Sequence, residues 1–304
     1  MPASGLATSP TQLKTVEHPS IRCLVCEGEL QPSALPGLKQ CAQCGFVTAD
    51  SALDDNALAA LYGADYFHGE EYFDYREERD SLRLNFERRL DTISRLAKGL
   101  QGRSVLDIGC AYGYFLELAT ERGLRARGID ISADAVRHAR EVLHVHATAG
   151  DYLAFPRGSY DLITIFDAVE HLARPHLFVA KAAAELKEGG LLALTTGDIG
   201  SLNARLRGRR WRMIHPPTHL HYFSIKTLSR LLARNGLEVV HASHPGVSRK
   251  LHSICHLVLA RRLGWGWAER LALRLLPDVP VSLNLGDIMF VVARKTNLDV
   301  ARTM

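Results

Sequence analysis

The chain has 304 residues, which is too long for one minimal domain and suits one large domain plus a small one. Hydrophobic residues make up 47% and charged residues 23%, so a packed core is expected and wholesale disorder is excluded. The net charge of +4 permits an anionic substrate without requiring nucleic acid as a partner.

The sequence contains no run of roughly 18 uninterrupted apolar residues, so no membrane span is predicted. Residues 1–20 are rich in Ser, Thr, Pro and Ala and lack the pattern of a secretory signal, and we expect a flexible leader there. These features favour a cytoplasmic location. In that reducing setting, paired cysteines are metal ligands rather than disulfides.

Four of the six cysteines form two Cys-x2-Cys pairs, Cys23 with Cys26 and Cys41 with Cys44. Each pair can chelate one metal ion from a tight turn, so the four thiolates predict a tetrahedral zinc site. Because protein then fills all four positions, the zinc is expected to be structural. Residues 21–48 are interpreted as a zinc ribbon that depends on the metal for folding, with redox thiols as the alternative.

Residues 49–100 are predicted to be a helical linker. From Tyr75 to Leu100, apolar residues recur at helical spacing among many charges, which is typical of an amphipathic helix. Aromatic residues of this segment are expected to cover a ligand bound to the next domain, with ordinary packing as the alternative: Tyr66, Tyr72, Phe73 and Tyr75.

From residue 103 onward, short apolar runs alternate with helical patterns. Strands are predicted at 104–108, 125–129, 145–149, 161–166, 191–196, 237–241 and 287–293. Helices are predicted at 112–122, 133–143, 173–186 and 225–235, with one or two more over 250–276. This alternation implies parallel βαβ units, so residues 101–295 are predicted to form an α/β, Rossmann-like, doubly wound seven-stranded sheet whose last strand is antiparallel.

Three acidic residues follow three successive predicted strands. Asp107 opens a turn with Gly109 and Gly113, where glycine lets the backbone approach a ligand closely. Asp130 ends the second strand, where a carboxylate can accept bonds from both ribose hydroxyls. Asp151 follows the third strand and can accept a bond from an adenine amino group. Because parallel strands end at one edge, these acids predict a nucleotide-containing cofactor.

The motifs at these positions resemble those of class I S-adenosylmethionine-dependent methyltransferases. They read VLDIGCAYGYF (105–115), GIDIS (128–132), GDYLAF (150–155) and YDLITIFDAVEHL (160–172). The resemblance covers roughly residues 103–245 and departs from the usual turn at Ala111, where the family has glycine. NAD-dependent dehydrogenases are disfavoured, because the spacing of their third glycine is absent here.

The resemblance implies that S-adenosylmethionine is the cofactor. Asp107 and Gly109 would then flank the methionine portion, Asp130 the ribose and Asp151 the adenine. The remaining cofactor-binding residues are expected at the same four motifs: Cys110, Gly113, Ile131, Tyr152 and Asp167.

A zinc ribbon, the segment LYGADYF (61–67) and this core together resemble a set of bacterial methyltransferases, many of which act on sugars, lipids or secondary metabolites. We therefore expect O-methylation of a small-molecule hydroxyl on a sugar, lipid-linked compound or natural product. An RNA base methyltransferase and a sugar C- or N-methyltransferase are the alternatives.

Methyl transfer to a hydroxyl needs a base near the methyl group. His171, with Asp167 and Glu170 just after the fourth strand, is one candidate. The DxxEH pattern also resembles the motif of ubiquinone-type O-methyltransferases, which some relatives use for a divalent metal. A histidine that packs or caps the following helix is the alternative.

The second candidate base is His219, in the segment HLHYFS (219–224), which resembles a stretch that lines the acceptor pocket in many zinc-ribbon methyltransferases. Strand alternation is expected to place His219 and His221 on the same side. The alternative is a packed aromatic turn before a helix cap at Ser224. We favour His219 over His171 as the base by a narrow margin.

Two further segments, 198–224 and 250–276, are expected to lie on the acceptor side. The first contains a basic cluster that can attract a phosphate-bearing acceptor or form a solvated loop: Arg205, Arg207, Arg209, Arg210 and Arg212. The second contains leucines, two tryptophans and three arginines, and is expected to cap the acceptor pocket or form a homodimer contact. A peripheral membrane-surface helix is the less favoured alternative.

Overall fold

The computed structural model describes residues 22–50 and 78–296. The leader predicted over 1–20, the segment LYGADYF and the four aromatic residues expected to cover the ligand lie outside the described residues. Those expectations therefore stay predictions.

Short strands and helices alternate along most of the described chain. The strands are β1 (Leu30–Pro32), β2 (Leu38–Cys41), β3 (Val47–Ala49), β4 (Ser104–Ile108), β5 (Arg125–Asp130), β6 (Ala147–Ala149), β7 (Tyr160–Phe166), β8 (Leu186–Gly197), β9 (His221–Tyr222), β10 (Leu237–Ser243), β11 (Val247–Lys250), β12 (Pro280–Leu283) and β13 (Ile288–Lys295). The α-helices are α1 (Arg79–Ala97), α2 (Tyr114–Glu121), α3 (Ala133–Glu141), α4 (Pro175–Glu185), α5 (Leu202–Arg207), α6 (Ile225–Ala233), α7 (Leu251–Cys255) and α8 (Gly266–Leu275). A π-helical segment, His256–Arg262, follows α7.

Seven strands form the central sheet, in the order β10-β13-β8-β7-β4-β5-β6. Strands β4 to β8 are parallel, and β13 runs antiparallel to both of its neighbours. The predicted doubly wound sheet with an antiparallel last strand is confirmed. Strands β7, β8 and β13 are almost continuously buried and apolar, as expected where helices cover both faces of a sheet.

The predicted and observed elements differ most between α4 and β8. The strand predicted over 191–196 begins earlier in the structure, because α4 ends at Glu185, β8 starts at Leu186, and Gly189 and Gly190 lie within β8. Leu186 pairs with Tyr160 of β7, so strand pairing begins directly at the helix end. Leu186 joins the sheet rather than the helix because it pairs with β7, which precedes it in the chain by a whole helix.

Helix α1 packs its apolar face on the sheet side that carries α2. Phe86, Leu90 and Ile93 are buried, and the Phe86 ring lies 5.5 Å from the Phe115 ring in an edge-to-face arrangement. The amphipathic helix predicted within 75–100 is therefore present and covers the sheet directly over the end of β4.

The zinc-ribbon segment forms a second sheet, in the order β1-β2-β3-β9. Strand β3 pairs antiparallel with β9, so the last strand of this sheet comes from the methyltransferase-like part of the chain. Phe46 is fully buried and its ring lies 5.1 Å from that of Phe223, while Arg234 donates a 2.7 Å hydrogen bond to the Val25 carbonyl. The ribbon thus shares its sheet and its core with the larger domain.

A third, two-stranded sheet of β11 and β12 was not predicted. Asn85 of α1 holds it in place, because its amide donates to the Ser248 carbonyl at 3.0 Å and its Oδ1 accepts from the Ser248 N–H at 2.7 Å. The helical segment 251–275 connects the two strands, so both of its ends are attached to a sheet that packs against α1. Within 22–50 and 78–296, no helix is long and apolar enough to cross a membrane.

Candidate active site

A cavity of about 1440 Å³ lies over the carboxyl ends of β4, β5 and β7. At one end it is lined by the turn after β4 and by Asp130. Its middle is lined by His171, His215 and His219, and its other end by arginines and by leucines from the segment between β11 and β13. The cavity exceeds the range of roughly 300–1,000 Å³ that is usual for one small ligand, so it has room for a cofactor and an acceptor together.

The turn between β4 and α2 requires left-handed backbone conformations. Gly109 has a φ of 79° and Ala111 a φ of 45°. The left-handed region costs a residue with a Cβ about 1 kcal/mol, which explains why the related motifs have glycine where this chain has Ala111. In this conformation the Ala111 N–H donates to Asp130 Oδ2 at 2.8 Å, so the turn and the end of β5 are tied together.

Asp130 is buried, and both of its carboxylate oxygens accept backbone hydrogen bonds at 2.8 Å, from Ala111 and from Ser132. Burial raises the pKa of this carboxyl, while the two backbone N–H groups oppose the shift. Each oxygen still has one further lone pair, so Asp130 can accept two more hydrogen bonds from vicinal hydroxyls.

Asp107 lies beside Asp130 at the end of β4. The Thr164 hydroxyl donates to Asp107 Oδ1 at 2.6 Å, and the side chain is buried. Burial raises the pKa of Asp107 to about 7, an effect that the Thr164 hydrogen bond reduces and the Asp130 charge adds to. Neither Asp107 nor Asp130 forms a salt bridge with a basic side chain of the described residues. Both acids could therefore stabilise a cationic ligand in the cavity.

Asp151 and Tyr152 occupy the loop after β6 and line the cavity. Asp151 is exposed, and its Oδ1 accepts from the Leu153 N–H at 2.9 Å, so it caps the short helical turn that begins at Tyr152. Tyr152 is buried and donates its hydroxyl to Glu185 Oε2 at 2.8 Å. The exposed Ile131 lines the cavity as well.

Two residues of the predicted turn have different surroundings. Cys110 is buried and lines the cavity. Gly113 does not line it, but starts α2 with a φ of 83°. A Cβ at Gly113 would lie 2.9 Å from side-chain carbons of Ala139 and Val145, so this glycine is required by helix packing.

Asp167 lies after β7, in a left-handed conformation with a φ of 51°. Its partner is Arg89 of α1, whose guanidinium lies 3.3 Å from Asp167 Oδ2 and 5.0 Å from the Phe166 ring centre. Arg89 is buried and lines the cavity, but sequence reasoning did not single it out. The available signal was an arginine on the apolar face of α1, three residues after Phe86 and one before Leu90.

Three histidines meet in the middle of the cavity. The ring centres of His171 and His219 lie 4.6 Å apart, and those of His215 and His219 lie 3.8 Å apart. Nδ1 of His171 is 2.8 Å from the Thr218 carbonyl, and Nδ1 of His219 is 2.9 Å from the Met213 carbonyl. Since a carbonyl only accepts, both rings carry the proton on Nδ1 and present Nε2 as an acceptor.

The electrostatics of this cluster keep the rings neutral. Burial lowers the pKa of His171 to about 4 and that of His219 to about 2, and the neighbouring histidines contribute to both shifts. Both imidazoles are therefore unprotonated at neutral pH, and the lower pKa makes His219 the weaker base of the two.

His221 does not join this cluster, so the expectation that it shares a side with His219 is wrong. His221 lies in β9, and its Nδ1 is 3.0 Å from the Thr48 hydroxyl of β3. Its ring centre is 5.7 Å from that of Phe46. His219 precedes β9, where strand alternation does not apply, and the ribbon takes up the side chain of His221 instead.

Glu170, His171 and His219 each bring one donor atom to within 4.8 Å of the other two. Glu170 is buried, burial raises its pKa to about 8, and its Oε2 has no hydrogen-bond partner among the described residues. The set of one carboxylate and two imidazoles fits a divalent metal. The sequence pointed to Asp167 as the third ligand, but Asp167 pairs with Arg89 and His219 takes that position.

The cysteine quartet converges as predicted. Cys23 Sγ lies 3.5 Å from Cys44 Sγ, and Cys26 Sγ lies 3.4 Å from Cys41 Sγ. Zinc–sulfur bonds of about 2.3 Å at tetrahedral angles place sulfurs about 3.8 Å apart, so a small expansion accommodates zinc. The four thiols are unbridged, and all four have donor atoms within 4.8 Å of one another.

The arginine-rich end of the cavity contains part of the basic cluster found in the sequence. Arg207, Arg210 and Arg212 line the cavity, and Arg249 and Arg262 join them from more distant segments. Arg212 is already paired, at 2.7 Å, with the buried carboxylate of Asp287. The others are exposed, so this end of the cavity is strongly cationic.

Comparison with known proteins agrees with this geometry. A family model described as a methyltransferase domain matches residues 75–242, more than half of the chain. A 116-residue stretch is 36% identical to a ubiquinone biosynthesis O-methyltransferase of Aromatoleum aromaticum, and 34% identical to that of Bordetella avium. Each match covers 36% of this chain and 49% or 48% of the relative, so the chain spans about half the length of the curated relatives it matches.

Among solved structures, magnesium protoporphyrin IX methyltransferase from Synechocystis PCC 6803, with bound SAH, has a TM-score of 0.54 to this chain. The alignment covers 80% of this chain and 100% of that chain at 14% sequence identity, and at that identity it shows the fold. With the family model matching over half of its length, the chain belongs to the methyltransferase-domain family.

Proposed function

We propose that this protein transfers a methyl group from S-adenosylmethionine to a hydroxyl oxygen of a small anionic acceptor, such as a phosphate-bearing sugar, lipid-linked compound or natural product. The observation that carries the proposal is the single cavity, which joins the acids at the strand ends to the histidine cluster and then to the arginines. When bound, the cofactor supplies an electrophilic methyl group on a positively charged sulfur.

The acids at the strand ends bind and orient the cofactor. Asp130 accepts hydrogen bonds from the ribose hydroxyls through its remaining lone pairs. Asp107 lies next to it and stabilises the positive charges of the methionine portion. Ile131 and the ring of Tyr152 supply apolar surface for the adenine. A cofactor held by these residues would have to present its methyl group to the middle of the cavity, and alignment of this kind contributes several kcal/mol to an in-line transfer.

The histidine cluster removes the proton of the acceptor hydroxyl. His219 presents Nε2 to the cavity while the Met213 carbonyl holds its Nδ1 proton, and His171 is arranged in the same way by Thr218. We propose His219 as the base because its ring lies near both other histidine rings in the middle of the cavity, and a bound acceptor would have to raise its lowered pKa for it to take the proton. His171, with the less depressed pKa, serves as its partner and as the alternative base.

Zinc in the cysteine quartet holds the acceptor side together. The ribbon strand β3 pairs with β9, and the Thr48 hydroxyl and the Ala49 N–H both donate to the Leu220 carbonyl, at 3.1 Å and 2.7 Å. His219 directly precedes this paired segment. The metal therefore acts on the reaction only by positioning the loop that carries the proposed base.

The relatives with 36% and 34% identity are O-methyltransferases by name, which supports oxygen as the methylated atom. The arginine-lined end of the cavity supports an anionic group on the acceptor, since guanidinium groups bind phosphate oxygens in bidentate geometry.

The proposal is tested in two steps on zinc-loaded full-length protein. Calorimetry should show S-adenosylmethionine binding. A panel of hydroxyl compounds, each with and without a phosphate group, is then screened for S-adenosylhomocysteine release, and the phosphorylated members should react faster. Absence of cofactor binding would contradict the proposal. Equal reaction of paired compounds would contradict the anionic acceptor.

A further inference from the structure

The exposed apolar side chains of this protein are concentrated in one segment. Twelve of the eighteen exposed large apolar residues of the described chain lie between Leu257 and Leu285. This segment comprises the π-helical stretch, α8 and β12. Scattered exposed leucines are ordinary on a protein surface, but a concentration of this kind marks a surface that contacts another apolar phase.

Helix α8 shows the reverse of the usual amphipathic arrangement. Trp267, Leu271 and Leu275 are four residues apart, so they form one stripe along the helix, and all three are exposed. Apart from Glu269, which binds His256, the half-buried residues of α8 are small, namely Gly266, Ala268 and Ala272. A helix on a soluble domain normally turns its large apolar residues inward, whereas α8 turns them outward.

Positive charge accompanies this stripe without matching negative charge. Arg262, Arg270 and Arg274 are exposed, and none of them pairs with a carboxylate of the described residues. Of the two acids between 256 and 285, Glu269 is bound to His256 at 2.5 Å and Asp278 to Lys250 at 3.1 Å. The exposed charge of the segment is therefore cationic.

The same surface forms the rim of the cavity. Leu257, Val258, Leu283 and Leu285 are exposed to solvent and also line the cavity. These apolar side chains therefore lie at the mouth of the cavity, beside the exposed Arg249 and Arg262 that line the same end.

We propose that residues 256–285 dock the protein on a lipid bilayer that contains anionic phospholipid, with the rim of the cavity facing the lipid. The outward stripe enters the boundary between headgroups and acyl chains, where indole rings such as those of Trp265 and Trp267 are preferred. The unpaired guanidinium groups contact lipid phosphates. In the context of the proposed function, the acceptor would be an amphiphile taken from the membrane.

A bilayer explains this surface better than a second copy of the chain. In a two-fold symmetric contact each patch meets itself, so the stripe of one copy would bring Arg270 and Arg274 close to the same residues of the other. Like charges across an interface oppose association. An anionic lipid surface instead neutralises both arginines and accommodates the tryptophans.

Tryptophan fluorescence reports this docking directly. The chain has three tryptophans, of which Trp211 is 2% exposed while Trp265 and Trp267 are 51% and 65% exposed. Vesicles made of equal parts phosphatidylcholine and phosphatidylglycerol should shift the emission to shorter wavelength and carry the protein upward in a flotation gradient. Vesicles of phosphatidylcholine alone should bind far less, and salt should weaken binding to the anionic vesicles.

Two sets of variants test the assignment. The double variant Arg270→Gln/Arg274→Gln should bind anionic vesicles about ten-fold to thirty-fold more weakly, and Trp267→Ser should lose most of the spectral shift. Val142→Ser is the matched control, because Val142 is 57% exposed but lies directly after α3, outside the cavity and the patch. Circular dichroism should show that all variants remain folded.

The proposal is overturned if wild-type protein does not float with anionic vesicles at low salt, or if the patch variants bind as well as wild type. It is also overturned if sedimentation shows a dimer that Trp267→Ser dissociates, with no vesicle binding by either form. Cofactor binding does not depend on the patch, so a failure here leaves the proposed methyl transfer intact.

Discussion

The two ends of the cavity are built in different ways. At the cofactor end, each functional side chain lies at the end of a parallel strand or in the turn that follows it. At the acceptor end, side chains come from α1, from the loop before β9 and from the segment between β11 and β13, and the zinc ribbon supports them. The cofactor end is thus a property of the sheet itself, while the acceptor end depends on contacts between segments far apart in the chain.

The largest expected effect is the removal of zinc. Chelation, or Cys41→Ser, should unfold the ribbon and release β9, because structural zinc contributes roughly 10–16 kcal/mol in small zinc modules. Methyl transfer should be lost and the melting temperature should fall, while S-adenosylmethionine binding measured by calorimetry should persist. Cys255→Ser, a change at a half-buried cysteine outside the quartet, is the control. A parallel loss of cofactor binding would show that the two ends are not separable.

The second prediction concerns the histidines. His219→Gln should lower kcat by about 100-fold to 10,000-fold, as expected for loss of a general base, and His171→Gln should have a similar or smaller effect. Cofactor affinity should not change, because both rings line the middle of the cavity whereas the proposed cofactor ligands Asp107 and Asp130 line its end. His241→Gln, at a half-buried histidine outside the cavity, should retain wild-type kcat. An unchanged kcat in both cavity variants would remove the histidine cluster from the mechanism.

The third prediction addresses the cofactor end. Asp130→Asn should weaken S-adenosylmethionine binding by roughly 100-fold, since it removes the charge from two hydrogen bonds to ribose hydroxyls. Calorimetry measures the dissociation constant. Asp134→Asn, four residues later at an exposed position paired with Arg137, should leave it unchanged. Equal affinities for the two variants would rule out Asp130 as the ribose ligand.

The smallest effect lies at the opposite edge of the sheet, where Asp161 is the second residue of β7. Burial would raise the pKa of Asp161, but hydrogen bonds from the Lys187 ammonium, and from the N–H and hydroxyl of Ser104, outweigh it and lower the pKa to about 2. A carboxyl with a lowered folded-state pKa stabilises the fold above its unfolded value near 3.8, and this contribution is lost as the pH falls through about 2.

Asp161→Asn should therefore reduce the free energy of unfolding by roughly 1–2 kcal/mol at neutral pH. The difference from wild type should disappear below about pH 2, where both side chains are neutral. Denaturant unfolding over a pH series measures this, and cofactor binding should be unaffected. A difference that persists at the lowest pH would assign the effect to packing rather than to charge.

Most of the cofactor end could be predicted from the sequence. The relevant side chains lie within a few residues of a strand end, and the order of strands in a parallel sheet brings those ends together. Asp107 and Asp130 are examples. The role of Gly113 was harder to predict. Glycine is required there because of Ala139 and Val145, which lie on the next helix and in the loop after it.

For the acceptor end, the sequence indicated which residue types are present but not which of them contact one another. Nothing in the local pattern indicated that Arg89 pairs with Asp167, or that His221 turns away from His219 toward Thr48. In each case the partner is more than 70 positions away in the sequence.

The central sheet, the metal quartet and the acids at the strand ends could be predicted from the sequence, because periodicity, turn glycines and ligand spacing act within short stretches of chain. The three-dimensional structure was needed to see which histidines meet, that the ribbon completes its sheet with β9, and that α8 turns its leucines outward. Those outcomes depend on which surfaces remain available for burial once the sheet has formed. Segments from the whole chain compete for these surfaces, so local sequence patterns do not determine the result.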